Sequence, residues 1–298
     1  MNVNSWLKKA SSSIDRLDAE LILAFLLGRD RTFLHAHGDR ELTPGQQNVA
    51  DDMLLRRQKH EPLAYILGQK EFYGQKFYLT RDVLIPRPET EALVTIAKQI
   101  HQKHYASQTS SNKAPSGEPC KILDLGTGSG CIILSLATEL KDQNIQLTAS
   151  DISAKALACA QYNAEQKHIK SISWVKSNLL KTRAFKNQKF DIIVANLPYV
   201  DKAWPWLDKN TLKYEPKIAL YATGYGLGLI KSLINAAPKH LNPGGFLILE
   251  ADICQHQAIL DYVDEANFFQ EYSLSDDQNL DQNLGQTRQS LALVLRLR

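Results

Sequence analysis

The sequence predicts an α/β protein: a mostly parallel sheet with helices on both faces, preceded by a small helical domain. Three observations carry this. From residue 121 onward, short apolar runs alternate with helical stretches, and strand–helix alternation implies parallel pairing with both faces covered. A glycine-rich turn follows the first of those runs and opens a helix. Residues 1–70, by contrast, show helical periodicity and no strand pattern.

Composition sets the frame. Of 298 residues, 44% are apolar and 22% charged, the range of a soluble globular protein and not of a disordered, fibrous or disulfide-stapled chain. That length is a soft prior of about two domains. No apolar run reaches the roughly 18 residues that span a bilayer. The first ten residues hold Lys8 and Lys9 but no apolar core, so no secretory signal is expected. Thirty-five basic and 32 acidic side chains leave a net charge of +3. That balance is too even to argue for nucleic-acid binding by bulk electrostatics. Cys120, Cys131, Cys159 and Cys254 form no CxxC pair, which speaks against a zinc or redox motif and for small buried hydrophobes in a reducing cytoplasm.

The helical part comes first. Residues 18–27 are apolar almost all round, as in the core of a small domain, and Gly28 is placed to end that helix. Thr43-Pro44-Gly45-Gln46 fits a capping box with proline at the first helical position. The helix it opens is expected to reach about residue 60, where Glu61-Pro62 breaks it. Residues 63–67 form a short apolar turn closed by Gly68. Aromatics flanking Gly74 within 71–79 predict a β-hairpin. Leu84-Ile85-Pro86-Arg87-Pro88 is extended, because each proline pushes its predecessor out of the helical region. A helix over 89–104 follows, and the polar segment 106–118 is expected to be a flexible surface loop. The division is therefore 1–70 helical domain, 71–88 hairpin and linker, 89–298 α/β domain.

In the α/β domain the strand candidates are 121–125, 146–150, 173–176, 190–195 and 245–250. Helix candidates are 129–140, 153–166 and 227–240. Residues 271–274 and 290–297 are expected to pair as a hairpin at one edge.

Three motifs carry chemistry. Asp124-Leu125-Gly126-Thr127-Gly128-Ser129-Gly130 ends a strand and opens a helix, where backbone N–H groups are free. Its spacing is G-x-G-x-G, not the G-x-G-x-x-G of dinucleotide binders. Asp124 is a poor neighbour for a pyrophosphate and a good one for a cation. The bland alternative is an ordinary glycine turn. Asp151, 25 residues after Gly126, ends the next strand. A carboxylate there accepts a pair of ribose hydroxyls; the alternative is a helix cap near Ser153. Asn196-Leu197-Pro198-Tyr199 follows the strand 190–195. The Asn196 side-chain oxygen and the Leu197 carbonyl can both accept from one planar NH2 group, and Tyr199 can stack on it. A plain turn is the alternative here, since Asn and Pro are turn formers.

Together these residues resemble a class I S-adenosylmethionine-dependent methyltransferase of the group that methylates planar amino or amide nitrogens. Two more segments narrow the resemblance. Arg87-Pro88-Glu89-Thr90-Glu91 resembles the PRPETE signature of the HemK/PrmC family. Pro62 to Gly68 with Glu71-Phe72-Tyr73-Gly74 is similar to that family's passage from helical domain to hairpin, and Asp18 to Ala24 also fits. The match runs in order over nearly the whole chain. It implies a Rossmann-like sheet, S-adenosylmethionine as methyl donor with S-adenosylhomocysteine as product, no metal, and N5-methylation of a glutamine in class I peptide-chain release factors. By the same resemblance the cofactor is held by Asp124, Gly126, Thr127, Gly128, Ser129, Gly130, Asp151, Asn178, Leu179 and Asn196. The target amide meets Asn196, Leu197, Pro198 and Tyr199, and residues 1–70 recognise the substrate. No membrane and no direct nucleic-acid contact are implied.

The chain departs from the family pattern at three places. Leu197 replaces a proline, Asn178 stands where an acidic residue is usual, and Tyr221-Ala222-Thr223 replaces a polar, glycine-containing stretch. Asn-Leu-Pro-Tyr also resembles rRNA adenine dimethyltransferases, so an rRNA or DNA adenine N6-methyltransferase is the main rival. That rival usually needs a basic surface, and residues 1–80 hold 11 Lys/Arg against 10 Asp/Glu. The glycine spacing argues against a nicotinamide-dependent oxidoreductase. The complete Asn196–Tyr199 motif argues against a non-catalytic binding protein.

Overall fold

The computed structural model describes residues 1–106, 117–263, 268–273 and 290–297. The chain divides into two compact units. The first holds Met1–Lys70 together with Leu79–Arg81 and Asp208–Tyr214; the second holds the rest. Of the two short additions, Asp208–Tyr214 is remote in sequence from residues 1–70.

Five helices of residues 1–70 build most of the first unit: α1 (Val3–Ala10), α2 (Arg16–Leu27), α3 (Arg31–Ala36), α4 (Pro44–Gln58) and α5 (Leu63–Leu67). Side chains start the first four. Asn2, Asp15, Asp30 and Thr43 each accept a backbone N–H at a helix entrance, and the Thr43–Gln46 box is reciprocal as expected. Gly28 and Gly68 end α2 and α5 in the left-handed conformation. Trp6, Ile22, Leu23 and Leu34 are fully buried at the centre. Each contributes roughly 1.5–3 kcal/mol relative to an exposed side chain. Glu20 is buried beside them and held ionised. Burial opposes its charge, but bonds from Arg16 and Arg31 outweigh that and leave its pKa below the ordinary value.

Strands β1 (Gln69–Phe72) and β2 (Gln75–Tyr78) form the hairpin. Its two-residue loop, Tyr73 and Gly74, has positive φ at both positions, the primed turn that matches strand twist.

The second unit carries the sheet. Its strands are β3 (Cys120–Leu125), β4 (Ile145–Asp151), β5 (Ile172–Lys176), β6 (Phe190–Ala195), β7 (Leu241–Asp252), β8 (Phe268–Ser273) and β9 (Ser290–Leu297). Its helices are α6 (Glu91–His104), α7 (Cys131–Glu139), α8 (Ala154–Gln166), the short α10 (Lys217–Leu220), α11 (Gly228–Ala236) and α12 (His256–Val263); α9 (Lys209–Leu212) falls in the first unit. The strand order is β5-β4-β3-β6-β7-β9-β8. The first five strands pair in parallel, and β9 runs antiparallel between β7 and β8.

Successive residues of the central strands face opposite sides, as the pleat requires. Ile122, Ile192, Val194 and Ile248 pack with α6 and α7 on one face. Leu123, Ile193, Ala195 and Leu249 pack with α11 and α12 on the other. Boundaries shift where backbone chemistry decides them. Gly130 is left-handed and delays α7 to Cys131. Pro238 turns the end of the expected 227–240 helix into a 3-10 turn over Ala237–Lys239. The edge hairpin is present as β8 and β9. Residue 274 of its expected first strand, and 107–116 of the expected flexible loop, lie outside the described residues.

Candidate active site

The chain leaves β3 for one side of the sheet and β6 for the other, so a crevice opens beyond their carboxyl ends. Both glycine loop and Asn196 turn lie there. Gly126, Gly128 and Gly130 have φ of +79°, +57° and +81°. A Cβ on Gly126 would stand 3.2 Å from Leu197 Cδ2, and one on Gly130 would stand 3.0 Å from Ala160 Cβ. The loop is therefore pressed against the Asn196 turn on one side and α8 on another. Gly126 and Thr127 donate their N–H groups to the Ser150 carbonyl at 2.8 and 2.9 Å, which fixes the loop to β4.

Asp124 lies under this loop with no exposed surface. One of its oxygens accepts from the Thr127 hydroxyl at 2.6 Å, and Oδ1 has no hydrogen-bond partner among the described residues. Burial, reinforced by the Asp151 charge and opposed by the Thr127 bond, pushes its carboxyl up to about 7. At the end of β4, Asp151 accepts the N–H of Gly128 at 3.0 Å and of Ser153 at 2.8 Å, one on each oxygen. A carboxylate has about four acceptor sites, so these bonds leave capacity for a ligand. Burial raises its pKa, against the opposing backbone bonds. Capping of α8 falls to Ser153, which accepts from Ala156.

These elements wall a cavity of about 310 Å³. Gly126 to Ser129, Asp151, Asn178, Leu179, Asn196, Leu197 and Pro198 line it. Asp124, Gly130 and Tyr199 do not; Asp124 faces the underside of the loop, and Gly130 packs on α8. Leu179 has φ of +51°, uncommon for a branched side chain. Its carbonyl accepts the buried Ser177 hydroxyl at 2.6 Å, which holds the strained turn that brings Asn178 to the wall.

The residues present fit S-adenosylmethionine. Asp151 offers acceptors for a diol. Val83, Ile132, Ile152 and Leu179 offer apolar wall to a flat ring. Oδ1 of Asp124, beneath the loop, is an orphaned acceptor beside this region. Cys131 also lines the cavity, but burial pushes its thiol up to about 12, so it stays protonated and is no nucleophile. Among the described residues no group of three or more His, Cys, Asp or Glu could hold a metal ion. Cys120 and Cys159 are buried like Cys131, while Cys254 is exposed.

Beside the glycine loop, Asn196 Nδ2 donates to Thr90 Oγ1 at 3.0 Å. Tyr199 donates its phenol to Glu250 Oε1 at 3.1 Å, and its carbonyl accepts from Gln255 Nε2 at 2.9 Å. Arg87 pairs with the fully buried Glu215, which also accepts the Ile85 N–H at 3.2 Å. Thr90 lies in the Arg87–Glu91 signature but was given no role by it, and Glu215, Glu250, Gln255 and Ser177 were not assigned to the site by the motifs. Their partners are remote in sequence or hidden in a turn, and no local spacing encodes them. Tyr221, from the stretch that departs from the family pattern, lines the cavity, and Lys202 stands over its ring at 5.3 Å.

Comparison with known proteins places the chain in a family. Residues 3–68 match the model of the PrmC N-terminal domain, and residues 116–287 match a methyltransferase domain. A release factor glutamine methyltransferase of Salmonella typhimurium is 37% identical over 87% of this chain and 89% of that protein. Proteins of the same name from Yersinia pestis and Geobacter sulfurreducens are 34% and 35% identical, over 96% and 91% of this chain and 99% and 88% of theirs. Among the described residues no helix is long and apolar enough to cross a membrane. The chain belongs to the release factor glutamine methyltransferase family.

Proposed function

We propose that the protein transfers a methyl group from S-adenosylmethionine to the side-chain N5 of a glutamine in class I peptide-chain release factors. The carrying observation is that the Asn196 turn is pressed against the glycine loop at Gly126, so nucleophile and donor sites share one cavity. The bound cofactor supplies an electrophilic methyl on a sulfonium. Everything else falls to the chain. An amide nitrogen is a poor nucleophile because its lone pair is delocalised into the carbonyl. With Nδ2 donated to Thr90, Asn196 Oδ1 is left to accept one N–H of the substrate amide, and the Leu197 carbonyl accepts the other. Pro198 keeps Leu197 extended. Two fixed acceptors orient the nitrogen at the methyl and favour a localised lone pair, an effect worth several kcal/mol. Attack breaks the methyl–sulfur bond, leaves its electron pair on sulfur as a neutral thioether and makes the nitrogen acidic, so its proton passes afterwards to solvent water and Asn196 need not act as a base. Tyr199, outside the cavity lining and anchored to Glu250, holds the end of the turn that carries Asn196 and Leu197.

Residues 1–70 are assigned to the protein substrate, because every cofactor motif lies after residue 120. The near-even charge of residues 1–80 supports a protein substrate over a nucleic acid. Free cysteines support a cytoplasmic location. The test is parallel incubation of labelled S-adenosylmethionine with release factor and with rRNA, followed by peptide mass spectrometry. A methyl group on one release-factor glutamine is expected; label on rRNA adenine instead would replace this reading with the rival.

A further inference from the structure

An asparagine side chain free to rotate presents no fixed acceptor to a substrate, and a hydrogen bond at its other end fixes it. We propose that Thr90 is a positioning residue: its hydroxyl takes the donor end of Asn196 and so holds Asn196 Oδ1 in place for the amide to be methylated. This rests on the function proposed above.

Four observations carry it. Asn196 Nδ2 lies 3.0 Å from Thr90 Oγ1, and both residues line the cavity. Thr90 is only 2% exposed, so water does not compete for the contact. Thr90 stands at the entrance of α6, where threonine ordinarily caps the helix, yet its side chain makes no capping bond there. The usual structural reason for this hydroxyl is therefore missing, and the bond to Asn196 remains. Finally, the segment that carries it is held on both sides. Glu215 takes the Ile85 N–H and the Arg87 guanidinium, the Thr90 N–H donates to the Arg87 carbonyl at 3.1 Å, and Glu91 accepts the Tyr73 N–H at 2.7 Å. A fixed backbone gives the hydroxyl a fixed place.

Thr90→Val keeps the shape and removes the acceptor; Thr90→Ser keeps the acceptor. The valine variant is expected to lower kcat about tenfold, the effect of one lost orienting hydrogen bond. KM for the release factor and calorimetric affinity for S-adenosylhomocysteine should stay within about twofold, and serine should restore kcat to within about twofold of wild type. Because Thr90 acts through Asn196, Thr90→Val should cost nothing further in an Asn196→Ala background. Wild-type kcat in the valine variant, or losses that multiply in the double variant, would overturn the proposal. The Asn196 side-chain amide protons, followed by NMR, should exchange slowly in wild type and rapidly in Thr90→Val. Unprotected protons in wild type would overturn it too. That signal needs no substrate, so it stands apart from any failure of the assigned reaction, and it decides the matter even if the valine variant does not fold.

Discussion

The phenol of Tyr199 donates to the buried carboxylate of Glu250 at 3.1 Å, which ties the last residue of the Asn196 turn to the end of β7. The bond crosses 51 positions of sequence and aims an aromatic ring that the turn alone would leave to rotate. Tyr199→Phe keeps the ring and removes the bond. It should destabilise the fold by about 1–2 kcal/mol in urea denaturation and lower kcat only a few-fold. Tyr199→Ala, which removes the ring, should lose far more activity. Equal kcat in the two variants would show that the ring has no part in the reaction.

Asp151→Ala should weaken S-adenosylhomocysteine binding by roughly 1–3 kcal/mol, the scale of hydrogen bonds to a charged group. Titration calorimetry reads this directly. Unchanged affinity would remove Asp151 from the ligand site and leave it holding Gly128 and Ser153 alone.

Asp124 gives a pH dependence of stability with a definite sign. Burial raises its carboxyl from an ordinary 3.8 to about 7, so the folded chain holds this proton more tightly than the unfolded one. Stability from this source is full below about 4 and is lost as the pH rises through about 7. Asp124→Asn cannot titrate and should lack that loss. Urea denaturation at pH 5 and pH 8 should therefore show wild type losing stability relative to Asp124→Asn. Parallel behaviour of the two proteins would contradict the buried-acid assignment.

Glu215 has no exposed side chain and faces Arg87 and the Ile85 N–H. Arg87→Ala should cost roughly 2–3 kcal/mol of stability, because it strips a buried carboxylate of its main partner. Glu215→Gln, which keeps a hydrogen-bonding group, should cost less. A harmless Arg87→Ala in thermal unfolding would mean the pair contributes little to holding residues 85–91.

What the sequence made legible was local. The capping box at Thr43 and Gln46, the Tyr73-Gly74 turn and the glycine loop are each written within a few residues, and they are present. Apolar runs located the central strands because their two buried faces leave little room for polar residues. Short-range signals could not place Thr90 against Asn196 across 106 residues, or Arg87 against Glu215 across 128. Nor could they show that Asp124 turns under its loop instead of into the cavity. That orientation depends on the Thr127 hydroxyl closing over it, a contact that spacing permits but does not require.

The central claim is that Asn196 orients the amide nitrogen that is methylated, and the kcat of Asn196→Ala on an intact release factor tests it most directly. Displacing a nucleophile by even 1 Å can cost about 10²-fold, so kcat should fall by about that factor or more while S-adenosylhomocysteine affinity is retained. Asn196→Asp keeps an acceptor in place and should retain partial activity. Leu197→Pro should be nearly neutral, since the assigned contact is a carbonyl that proline also has. Wild-type turnover by Asn196→Ala would make Asn196-Leu197-Pro198-Tyr199 a structural turn and contradict the account.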